Sequence, residues 1–280
     1  MEEGIEKPVE VSEPAKVRDG WGVARWLLPR GVALCYAFAF WSWAVQCEGL
    51  VGENGILPVK NLVEAVHAAE ERESRLFFKE FPSVFRFASS DAALVGAGWL
   101  GVLLSLLVMI GVLQGPCLQL LWIGYRSVIS AGQIFLGYQW DALLLEAGFL
   151  MLFLVNWKSW VQFRVRDRAM PGTVFLVHWL VFRLMFLSGA VKLWGGDEVW
   201  ENGTALFYHF ETQPIPTALG WWAHHLPRWM LQWGCWGMYV VEIGFPFLMW
   251  CGRWGRLIAG LSFIALMAGV ALTGNYTFFN

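Results

Sequence analysis

The sequence predicts an all-α fold, a polytopic integral membrane bundle of about seven transmembrane helices. Three observations point there. Of the 280 residues, 57% are hydrophobic and only 15% are charged. The apolar residues run without alternation, as from Ala92 to Leu113 and from Leu257 to Thr273, and about 20 such residues are what a helix needs to cross a bilayer. Nineteen tryptophans are present, a residue enriched at membrane–water boundaries. Backbone polar groups in lipid must be satisfied inside helices or a closed barrel, and unalternating runs exclude the period-two pattern of a barrel.

In chain order, residues 1–26 read as a polar N-terminal tail. Met1 to Gly20 carry mixed charge and lack the basic start, short apolar core and cleavage site of a secretory signal. Residues 27–280 read as the transmembrane domain, with candidate spans at 31–48, 92–113, 117–137, 140–156, 173–193, 230–250 and 256–274. Little beyond Gly137 and Tyr138 separates the third from the fourth. The bias of Lys and Arg toward the cytoplasmic side resolves that parity. Basic clusters at Lys16, Arg18, Arg25 and Arg30, at Lys158, Arg164, Arg166 and Arg168, and at Arg253 and Arg256 all fall on one side only when there are seven spans and the N-terminus is cytoplasmic.

Two longer extra-membrane stretches then face the other side. The first, 49–91, holds an amphipathic run from Asn61 to Phe78 suited to the interface. The second, 194–228, is acidic and aromatic, and Trp194, Trp200, Trp221 and Trp222 fit an aromatic belt. Pro214 and Pro216 break any helix within it. The five cysteines lie in or beside apolar runs with no C-x-x-C, so they read as packing residues.

Ionisable residues inside spans are costly and mark structure or function. Here they are Asp141, Glu146, Arg183, Lys192 and Glu242. At 1.5 Å rise per residue, Lys192 falls level with Asp141, and Arg183 with Glu242 or Glu146, which suggests a two-layer polar network. The run Ser188-Gly189-Ala190 would let a neighbouring helix approach closely. Such pairs fix helix register in the plain reading, and line a catalytic or transport path in the other. His209, His224, His225 and Glu211 share one stretch, but their spacing matches no zinc-ligand pattern, so no metal is expected. There is no P-loop, no G-x-S-x-G and no dinucleotide fingerprint, and no basic patch for nucleic acid. Asn202-Gly203-Thr204 and Asn275-Tyr276-Thr277 are glycosylation sequons.

The residues also carry a family resemblance. The run from Gln139 to Leu150, QWDALLLEAGFL, resembles a hallmark helix of the lipase maturation factor family. So do FRLMF at 182–186 with SGAVKL at 188–193, YHFETQPIPT at 208–217, and HHLP at 224–227. Shorter matches are GENGILP at 52–58, EIGFPF at 242–247 and GNYTFFN at 274–280. The resemblance runs from about residue 25 to the end. It implies a polytopic protein of the endoplasmic reticulum membrane, or of the inner membrane in a bacterial relative, that helps secreted proteins fold or assemble, lipases first among them. No cofactor and no catalytic residues are implied. Family members usually continue past the GNYTFFN-like motif.

On this reading Trp200, His209, Glu211, Gln213 and Pro214 are the candidate client contacts, offered by an aromatic segment at the membrane surface. The alternative is a membrane-embedded enzyme, carboxylase-like or lipid-modifying, with Lys192, His209 or Glu211 as acid or base. It draws on a distant similarity of the family to the membrane part of vitamin K-dependent carboxylases. A small-solute transporter is disfavoured by the lack of matching broken spans in two halves.

Overall fold

A computed structural model describes residues 21–73, 81–162, 170–213 and 216–274, and nearly all of the described chain is helical. The helices are α1 (Gly22–Val51), α2 (Val59–Glu73), α3 (Asp91–Ile110), α4 (Gln114–Gly132), α5 (Gln139–Leu154), α6 (Pro171–Trp194), α7 (Glu198–Glu201), α8 (Leu206–His209), α9 (Ala218–His224), α10 (Arg228–Tyr239), α11 (Phe245–Leu248) and α12 (Gly252–Thr273). Four of these, α1, α3, α6 and α12, are long and apolar enough to cross a membrane. Helix α4 has 19 residues and α5 has 16. Helices α10 and α11 are joined without a break by a π-helical turn, Val240–Gly244. Helix α1 begins inside the stretch expected as polar tail. The amphipathic run is helical as far as Glu73, and its remainder lies outside the described residues, as do Lys16, Arg18, Arg164, Arg166, Arg168 and the sequon at Asn275.

Two clusters of buried side chains divide the chain. In the N-terminal one, Ala33, Tyr36, Phe40, Trp43, Cys47 and Val51 form a buried stripe on α1 at steps of three and four residues, which keeps them on one helix face. Around that stripe stand α3, α4 and α5. Lipid supplies no hydrophobic drive for helices to associate, so close packing and hydrogen bonds must do it. Gly98 and Gly101 bring α3 against α1: a Cβ on Gly98 would lie 2.7 Å from the Ala44 Cβ, and one on Gly101 would lie 2.2 Å from Phe40. The Trp43 indole donates to the Leu94 carbonyl at 3.0 Å, and Tyr36 and Phe40 meet Tyr125 edge to face.

The break between α4 and α5 has a local cause. Gln133 takes φ +51 and Gly137 φ +96, and the Asp141 carboxylate receives the Gly137 and Tyr138 amides, each at 2.9 Å. An acceptor in the first turn satisfies N–H groups that a helix start leaves unpaired. The two elements are therefore separate helices.

The second cluster, Met185, Met249, Ala259 and Phe263, is small and joins α6, α11 and α12. One end of the molecule gathers Arg25, Arg30 and the start of α12. Arg25 donates to the Leu154 carbonyl at the end of α5, and Arg30 to the Gln162 carbonyl at 2.9 Å. Trp21 meets His178 edge-on at 4.9 Å, and His178 lies 6.0 Å from Trp250, just before α12 and Arg253.

Gly98→Ala should destabilise the protein by about 1–3 kcal/mol, because the new methyl meets the α1 backbone rather than a movable side-chain end. Gly96, where a Cβ meets nothing within 4 Å, should instead accept alanine with a gain of up to about 1 kcal/mol in helix propensity. Thermal unfolding in detergent measures both; equal behaviour of the two variants would contradict the packing described.

Candidate functional site

Of the charges expected inside the bundle, Glu242 is the most enclosed apart from Asp141, at 2% exposed. It sits in the π turn that links α10 to α11, and such turns bulge the backbone outward, often at functional positions. Gly189 of α6 faces that bulge. A Cβ there would lie 2.6 Å from Ile243 and 2.9 Å from the Glu242 Cβ, so the bare backbone admits the turn. One helical step further along the same face stands Lys192. Its ammonium donates to both Glu242 oxygens, at 2.6 and 2.7 Å, and the Ser188 hydroxyl donates to one of them at 3.3 Å.

This pairing differs from the expected layers. Lys192 does not meet Asp141. The Asp141 carboxylate is spent at the start of α5 and on the Tyr125 hydroxyl, which donates to it at 2.5 Å. The close approach at Gly189 brings Glu242 to Lys192 instead. Arg183 pairs with Glu146 across the seam between α6 and α5, and of its two expected partners Glu242 is taken. The five charges thus fall into two ion pairs and one helix cap rather than a single network.

Next to the Lys192–Glu242 pair lies the segment 194–213, folded rather than looped. The Asp197 carboxylate accepts the Val199 amide at 3.1 Å and starts α7. Gly203, at φ +68, turns the chain where a side chain would be strained, and a Cβ there would lie 3.0 Å from the Trp236 indole. The Tyr239 hydroxyl donates to the Trp200 carbonyl at 2.8 Å. The Lys192 ammonium stands 5.4 Å from the centre of the Trp200 ring, within the range of a cation–π contact. His209, at the end of α8, is half-buried. Burial first, and then the charge on Lys192, hold its pKa below the ordinary histidine value, which leaves the imidazole neutral at pH 7.

Between this segment, α10 and α12 is a cavity of about 430 Å³, walled by Lys192, Trp200, His209, Leu206, Met238 and Val270 among others. Beside it, the segment is tied to the last turn of α12. The Gln213 amide donates to the Thr273 carbonyl at 3.3 Å, and the Thr217 hydroxyl to the Leu272 carbonyl at 3.0 Å. Gln213 is buried, and its Oε1 has no hydrogen-bond partner; nor does the buried Nδ1 of His224, whose Nε2 is 3.7 Å from the exposed Glu211 carboxylate.

The expected contact residues therefore sit differently from one another. Glu211 is on the surface, Trp200 and His209 are half-buried on the cavity wall, Gln213 is under the segment, and Pro214 lies outside the described residues. Spacing alone did not single out Tyr208 as exposed, but it is, and so are Trp221 and Trp222, at 54% and 65%. Chemically the site is an apolar hollow with one neutralised ion pair and an aromatic outer surface.

A family model described as the lipase maturation factor transmembrane domain matches residues 23–280. Lipase maturation factor 2 of Xenopus laevis is 38% identical over 268 residues, which is 89% of this chain and 36% of that protein. Lipase maturation factor 2 of Homo sapiens is 37% identical over 276 residues, 93% of this chain and 39% of that protein. Lipase maturation factor 1 of Homo sapiens is 28% identical over 275 residues, 95% of this chain and 48% of that protein. The chain spans less than half the length of these relatives. No solved structure matches it.

Lys192→Met leaves the Glu242 carboxylate buried without its cation, and breaking a buried pair from one side costs about 3–5 kcal/mol. The double change Lys192→Met with Glu242→Leu removes both charges and should recover most of that loss. Folded yield and thermal midpoint in detergent read the difference; a double variant no better than Lys192→Met would mean that the pair is not the source of the loss.

Proposed function

The chain belongs to the lipase maturation factor family, and from that membership we propose that it is a membrane-embedded maturation factor, a chaperone that helps a secreted client, a lipase, to fold or assemble. The observation that carries this reading is the joining of family membership to a structured, aromatic-rich segment held at one end of the bundle. Tyr208, Trp221 and Trp222 give that segment exposed apolar surface of the kind that marks an interaction site, and Glu211 gives it an exposed charge beside them. In this reading Glu211, His209 and the exposed aromatics meet the client. Trp200, Gln213 and Pro214 belong to the same contact region, with Trp200 and Gln213 bracing it from beneath.

The same proposal has seven spans: the four long helices together with α4, α5 and the continuous run α10–α11. It treats the residues from about 27 onward as one membrane domain following a polar tail. The gathering of Arg25, Arg30 and the start of α12 at one end supports a cytoplasmic N-terminus. Segment 194–228 then faces the lumen of the endoplasmic reticulum, where secreted proteins fold. For the enzyme alternative, Lys192 would have to act as a base while both oxygens of Glu242 accept from it, which weighs against that role.

Secreted lipase activity per unit of lipase protein, in cells with and without this gene, tests the proposal. Removal should lower specific activity several-fold with lipase synthesis unchanged, and a variant carrying His209→Ala and Glu211→Ala should restore it poorly while accumulating normally. Undiminished specific activity across several secreted lipases in the deleted cells would overturn the reading.

A further inference from the structure

The cavity beside Lys192 has a chemistry of its own, independent of any protein client. Its volume, about 430 Å³, lies in the range of about 300–1,000 Å³ typical of ligand sites. Its long wall is one side of α12 from Ala265 to Thr273, about 12 Å at 1.5 Å per residue. Small residues, Gly234, Ala265 and Gly269, widen it. The polar groups are confined to one end, where Lys192 stands two residues before the close of α6.

A lysine ammonium has three hydrogens to donate. Two go to Glu242, and no described residue accepts the third, while the side chain is 23% exposed along the cavity wall. With the Trp200 ring beside it, at 5.4 Å from the ammonium, that third donor is open to an oxygen acceptor from outside the protein. The charge of the acceptor follows from the surroundings. Glu242 already neutralises Lys192, and His209 is held neutral, so a carboxylate or phosphate in the hollow would bring an unbalanced charge into an apolar place. An uncharged carbonyl would not.

We propose that the cavity holds one acyl chain of an ester lipid, with the ester carbonyl accepting from Lys192 and the chain lying along α12 toward Ala265. The position agrees with the bilayer. Lys192 and Thr273 both close their helices at the same end, so the carbonyl sits at the boundary of the hydrocarbon and the chain points inward. Two sources share this chemistry, a membrane phospholipid and a neutral diglyceride, and both offer the same uncharged carbonyl.

The test uses the purified protein in nanodiscs made of dialkyl-ether phosphatidylcholine, which has chains but no ester carbonyl. A photoreactive diacyl phosphatidylcholine or a photoreactive diacylglycerol is added in trace amount, crosslinked, and mapped by peptide. At least one probe should label 265–273, be displaced by unlabelled diacyl lipid, and resist displacement by added ether lipid; the probe that does so names the source. Gly269→Leu should cut labelling several-fold by filling the hollow, whereas Gly260→Leu should leave it unchanged. A Cβ at either glycine meets nothing within 4 Å, so both variants should fold, and their elution profiles check it. Labelling spread evenly along α12, equal in the two variants, or equally displaced by ether lipid would overturn the proposal and leave only ordinary surrounding lipid.

Discussion

A charge in hydrocarbon must be met by an opposite charge or a set of donors, and the second half of this molecule is arranged around one such meeting. The Lys192–Glu242 pair needs a backbone approach that only Gly189 allows and a π turn that carries Glu242 outward to it. Once formed, it fixes the relation of α6 to α10 and α11. The Trp200 ring then has a cation to lie against, and the Tyr239 hydroxyl, one turn from Glu242, holds the Trp200 carbonyl. The short helix α7 rests on those two contacts, and α8 follows it and packs on α10. Removing the charge on Glu242 would thus reach the segment without touching it.

The first half solves a different problem. It has an extensive apolar core and uses small residues, aromatic edges and a few backbone acceptors, with an enclosed ion pair, Arg86 with Glu70, at its edge. Helix α1 supplies the common face, with α3 pressed against it at Gly98 and Gly101 and with Gly148 of α5 lying under Tyr36. One half is densely filled and the other thinly, and the thinly filled half surrounds the cavity beside Lys192.

Much of this was legible in the sequence, for physical reasons that can be named. Unbroken apolar runs announce membrane helices because lipid leaves the backbone no other choice. Charges within them stand out because they are expensive there. Of the partners, only Glu146 for Arg183 was among those the sequence offered. Depth along a helix can be counted, but rotation and bulges cannot, and a single π turn decided that Lys192 meets Glu242 and not Asp141. Depth alone makes Asp141 a pairing charge, whereas it accepts the Gly137 and Tyr138 amides at the start of α5, as a carboxylate at the third helical position does in a capping box. The glycine in Ser188-Gly189-Ala190 signalled close approach, and Gly189 does receive a neighbour, in the form of that turn. In the segment 194–228, composition did not separate Glu211, which faces outward, from Gln213, which is turned under. Family motifs located the stretch without giving that orientation.

The central claim is that the buried pair holds the 194–213 segment in place. Hydrogen exchange tests it most directly, on the protein with Glu242→Gln, which keeps the shape of the side chain and removes its charge. The account predicts faster exchange of the amides from Val199 to Gln213, with α1, α3 and α4 unchanged. Unaltered exchange in that segment, in a variant that folds, would contradict it.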